Sequence, residues 1–136
     1  MFGNAEADLR QDPQWVKSST GHFHRLVHLD PEKEGLSGVS GVFVIWHGGV
    51  NPQWIYIGKS NNLAKKFHDL GENEEIMDYE VHGGLFVSWS LIRGEFQDGV
   101  LSYLKQSLEP KMENTSISIG DGVEPVPVIA PGGKLD

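Results

Sequence analysis

Cysteine is missing altogether from the 136 residues. That excludes disulfides, a thiol nucleophile and any cysteine zinc site. No apolar run approaches the ~20 residues that a membrane span needs, so no membrane insertion is expected. The opening MFGNAEADLRQDPQW has neither the basic stretch nor the apolar core of a signal peptide, which sets a cytoplasmic expectation. Cations are scarce, 11 Lys and Arg against 19 Asp and Glu, for a net charge of −8. Nucleic-acid binders usually neutralise phosphates with a basic face. Around the densest motif the local balance is no better. Lys59, Lys65 and Lys66 are followed at once by Asp69, Glu72, Glu74, Glu75, Asp78 and Glu80. A nucleic-acid partner is therefore disfavoured.

What is present suits one domain with one sizeable core. Residues 1–20 are polar and read as an arm, with a short helix near Pro13–Lys17. HFHRLVHL (22–29) alternates like a strand, with Phe23, Val27 and Leu29 on one face and His22, His24, Leu26 and His28 on the other. DPEKEGLSG (30–38) is a loop. VSGVFVIWH (39–47) is a buried strand, GGVNPQ (48–53) a hairpin turn and WIYIG (54–58) the return strand. Ser60 reads as the N-cap of a helix carrying Leu63, Lys66, Phe67 and Leu70, which Gly71 stops. A second short helix is expected over 72–81, a strand over 84–92, and a long helix over 95–110 that ends at Pro110. VEPVPVIAPGG (123–133) has three prolines and reads as an extended, polyproline-like arm. The expected fold is α+β. A small antiparallel three-stranded sheet is flanked by helices, with an extra N-terminal strand and a C-terminal proline-rich arm. The expected divisions are an arm (1–20), one domain (21–114) and a second arm (115–136).

Gly41–Phe43 and Tyr56–Gly58 lie on adjacent hairpin strands. GKSNNLAKKF then leads into the first helix, and LEPKMEN (108–114) leaves the last. That arrangement resembles the GIY-YIG nuclease domain. The resemblance implies metal-assisted phosphodiester hydrolysis, with two motif tyrosines, an arginine on the first helix and a metal-binding glutamate on the long helix. Carried over residue by residue, the first tyrosine falls on Phe43, which has no hydroxyl. The second falls on Tyr56. The arginine falls on Lys66, a point charge without the planar fork. The glutamate falls on Leu101, which cannot bind a metal. The nearest carboxylates are Glu95 and Asp98.

The resemblance with these changes implies a degenerate site of Phe43, Tyr56, Lys66 and Leu101. The expected protein is a non-catalytic module, a protein-interaction or structural subunit that associates with a protein partner or itself through its arms. No cofactor and no metal are expected. Two rival readings stand beside it. One is an altered metal-dependent endonuclease using Tyr56, Lys66 and Asp98. The other is a non-catalytic nucleic-acid binder using Tyr56, Lys59, Lys65 and Lys66. His22, His24 and His28, with His47 and His68, form a weaker metal candidate. Trp46, Trp54 and Trp89 read as packing residues rather than a stacking platform.

Overall fold

The computed structural model describes residues 9–49, 53–112 and 123–133. Among these, four strands form one antiparallel sheet: β1 (His24–Arg25), β2 (Gly41–His47), β3 (Gln53–Ser60) and β4 (Leu85–Ser90), in the order β1-β4-β2-β3. Three α-helices complete the α+β domain, α1 (Leu63–Gly71), α2 (Glu74–Met77) and α3 (Gly94–Leu108). The central strand β2 is β-branched and aromatic. It is buried on both faces because the sheet is covered on both sides. Phe43, Ile45, Val87 and Trp89 pack with Leu63, Phe67 and Leu70 of α1 on one face. Val42, Val44 and Ile57 pack with Val100, Leu101 and Leu104 of α3 on the other.

Several expectations need correction. The strand over 22–29 shrinks to two residues, so the N-terminal strand is real but short. A 3-10 turn at Leu26–His28 follows it. Leu26 is buried, away from its expected histidine face, while Val27 is 45% exposed. Asn62, not Ser60, caps α1, its side chain accepting from Lys65 N at 3.3 Å. Ser60 is the last residue of β3, and its hydroxyl accepts from Asn62 N. The helix over 72–81 divides into α2, capped by Asn73, and a 3-10 turn over Asp78–His82. Of the hairpin turn, residues 50–52 lie outside the described residues, as do 1–8, 113–122 (with Asn114) and 134–136.

Pro13–Lys17 is not helical. Val16 N donates to Trp89 O at 3.0 Å, and the buried Ser88 and Ser90 hydroxyls donate to Val16 O and Pro13 O. The C-terminal stretch lies against this one, with Gln11 and Val128 forming a parallel bridge. Trp15 Nε1 donates to Ile129 O at 2.6 Å, and Val126 N donates to Gly99 O of α3 at 2.9 Å. Both stretches therefore belong to the packed body. Trp15, Val126 and Val128 join the core beneath α3.

Candidate functional site

The antiparallel register of β2 and β3 sets Phe43 opposite Gly58 and Ile45 opposite Tyr56. A Cβ at Gly58 would lie 2.8 Å from Phe43 Cζ and 3.2 Å from Tyr56 Cε1. Glycine therefore makes room for the two rings. They stack with centroids 5.7 Å apart and planes 11° apart. Phe67 of α1 meets Phe43 edge-on at 5.4 Å. Lys66, one residue earlier on α1, holds its Nζ 5.7 Å from the Tyr56 ring centroid. The register shifts after Ile45, pairing Trp46 with Trp54 and leaving Ile55 as an extra residue. Ile55 and Tyr56 consequently enter the same core.

Phe43 and Lys66 thus both contact Tyr56, and Leu101 does not. Leu101 is fully buried on the opposite face of the sheet, with Val42, Val44 and Ile57. The reason is the apolar stripe of α3, which turns Val100, Leu101 and Leu104 onto the sheet. The four residues are not one constellation.

Among the described residues, those at the matched positions do not fit a divalent cation. Leu101 offers no donor. The Asp98 carboxylate lies 2.6 Å from Lys59 Nζ, and Glu95 lies 3.7 Å from Arg93. Among the described residues no three His, Asp or Glu side chains gather as a metal site. Burial pushes the Tyr56 phenol above its ordinary pKa of 10.0. At neutral pH that moves it further from a tyrosinate able to take a proton from water.

The lysines do not form one patch with Tyr56. Lys59 sits opposite Val42, on the α3 side, with its charge met by Asp98. Lys65 pairs with Asp69 at 3.0 Å along α1. Of the three, Lys66 alone sits over Tyr56. The histidines scatter as well. His24 stacks on Trp89 at 5.4 Å and lies 3.5 Å from Glu34. His68 meets Glu32 at 2.8 Å, and His47 stacks over Tyr79. His22 and His28 are exposed. Trp89 packs in the first core, and Trp46 and Trp54 pack against the second.

Gly99, Ser88 and Ser90 hold the terminal stretches in place through Val126, Val16 and Pro13. A glycine inside a helix costs about 1 kcal/mol relative to alanine, which flags a close approach. Ser88 and Ser90 alternate with Val87 and Trp89 in an otherwise apolar strand, a sign of a polar cover on that face.

No protein-family model matches the chain, and no curated protein matches it. Among solved structures it is similar to the GIY-YIG N-terminal endonuclease domain of UvrC from Thermotoga maritima, a point mutant bound to its catalytic divalent cation. Identity is 19%, the TM-score is 0.44, and the match covers 59% of this chain and 90% of that one. What it binds is a property of that domain.

Proposed function

We propose that this chain is a GIY-YIG-like module that does not cut nucleic acid and serves as an interaction or structural subunit. The burial of Leu101 on the far side of the sheet from Tyr56 carries the reading. It takes the metal-ligand position out of the site, where Phe43 has already replaced a hydroxyl and Lys66 a guanidinium. The surface through which it associates is the composite of residues 9–18 and 123–133. These stretches are packed on the domain, so a partner would meet them as one face rather than as free arms.

The test is incubation of the purified protein with magnesium or manganese and plasmid or single-stranded DNA, beside a titration of labelled DNA at physiological salt. Intact DNA and no measurable affinity are expected, because Lys59 and Lys65 are already paired with carboxylates. Metal-dependent cleavage that disappears on Tyr56→Phe would overturn the reading in favour of an altered endonuclease. Micromolar binding that weakens steeply with salt would favour the nucleic-acid binder.

A further inference from the structure

Where residues 12–17 meet the turn at 130–133 they frame a cavity of about 460 Å³, which lies within the face assigned above to association. Its walls include Trp15 and Phe23, and its polar groups include Asp12, Gln14 and Lys17. The walls are fixed in place. The Trp15 indole N–H is donated to Ile129 O at 2.6 Å, and Phe23 stands edge-on to Trp46 at 5.0 Å. Lys17 Nζ lies 5.0 Å from the Phe23 ring centroid. Asp12 Oδ1 accepts from Gln14 N at 2.8 Å, and Gln14 has φ +64°. A glutamine rarely adopts that left-handed backbone, and such strain collects at ligand sites.

The chemistry of the lining narrows the ligand. Asp12 and Lys17 cancel in formal charge, so neither an anion nor a cation is favoured. Asp12, Gln14 and Lys17 are exposed at its edge and offer hydrogen-bonding groups that a wholly apolar ligand would leave unused. Hydroxyl groups both donate and accept, so a ring carrying several of them can satisfy all three. A flat heteroaromatic base would also stack on one aromatic face, but the base itself brings no hydroxyl to these three groups. Here Lys17 occupies a face of Phe23, leaving the indole of Trp15 as the main wall. One indole suits the C–H face of a saturated ring. We propose that this cavity binds a neutral sugar, its ring against Trp15 and its hydroxyls on Asp12, Gln14 and Lys17. The site shares the proposed association face and does not depend on whether the chain cuts nucleic acid.

The test is an NMR titration of the full chain, following the Trp15 indole N–H, which Trp15→Phe assigns. Probes are glucose, galactose, mannose, N-acetylglucosamine and maltose, with glucuronate, glucosamine and adenosine as comparisons. At least one neutral sugar is expected to shift that signal with a Kd of about 1 mM or tighter. Gln14→Gly removes the amide and relieves the backbone, so the fold holds while affinity falls about tenfold. Asp12→Asn keeps an acceptor for Gln14 N and weakens binding by a similar factor. The proposal fails if no neutral sugar shifts the signal up to about 50 mM. It also fails if Gln14→Gly binds at full strength, or if adenosine or a charged sugar binds as well as the neutral ones.

Discussion

Replacing Gly99 with alanine tests whether residues 123–133 are part of the folded body. In α3 the new methyl would sit 2.5 Å from Val126 Cγ2 and 2.8 Å from Glu124 O. Both distances are shorter than real contacts allow, and the second involves backbone, so the C-terminal stretch must move. Alanine by itself favours the helix by about 1 kcal/mol. Against it stands the Val126 N–H bond to Gly99 O, worth about 1 kcal/mol. Beyond that lies the burial of Val126 and of Val128, which is 4% exposed; lifting both would lose about 2–3 kcal/mol. The net cost is about 1–3 kcal/mol, depending on whether the displacement stops at Val126 or reaches Val128. At about 3–5 °C per kcal/mol for a chain of this size, Tm should fall by about 3–15 °C. Hydrogen exchange should speed up at the Val126 and Ile129 amides, whose acceptors are Gly99 O and Gln11 O. Gly94→Ala, at the open start of the same helix, meets nothing within 4 Å and should hold or raise Tm. If Gly99→Ala stabilises the protein as Gly94→Ala does, with protection at 126–129 unchanged, the packed arm is refuted.

Three further outcomes follow from the site. Leu101→Glu should unfold the protein or abolish a cooperative melt, because it buries a carboxylate among aliphatic side chains; Leu101→Ala should cost about 2–5 kcal/mol by thermal denaturation. A folded Leu101→Glu that binds manganese would instead show that α3 turns this position towards Tyr56. Gly58→Ala should cost about 1–3 kcal/mol in a denaturant melt, since Phe43, held between Tyr56 and Phe67, cannot retreat from a methyl at 2.8 Å; Phe43→Leu in that background should recover part of the loss. The raised Tyr56 pKa contributes stability that is fully present below pH 10 and is lost as pH rises through the folded value. Tyr56→Phe should flatten that alkaline decline in pH-dependent melts, and an unchanged decline would place its origin elsewhere.

The parts of the fold that could be read from sequence are those where local preference and burial agree. The β-branched run of β2 and the stripe of α3 each give one answer at both levels. The end of α3 before Pro110 needs only the steric rule for the residue ahead of proline. Residues 22–29 were harder, because alternation fixes faces only while the chain stays extended. One 3-10 turn carries Leu26 inward and turns Val27 out. The seat of the C-terminal stretch was not legible. Its extended shape follows from three prolines, but its place depends on Gly99, Gln11 and Trp15, all distant in sequence.

The site divides along the same line. Phe43, Tyr56 and Lys66 meet because neighbouring strands and the helix that follows them leave little freedom in register. Leu101 holds the glutamate's place by its height along α3, nine residues before Pro110. Counting fixes height along a helix, but each residue also turns the side chain by about 100°. A count that is right in height can therefore point to the wrong side of the helix, and packing decides which. Val100, Leu101 and Leu104 all face the sheet, and Asp98 is drawn to Lys59. A carboxylate could replace Leu101 only by displacing that packing. Burial of the α3 stripe, more than the letter found at one position, keeps position 101 from holding a metal.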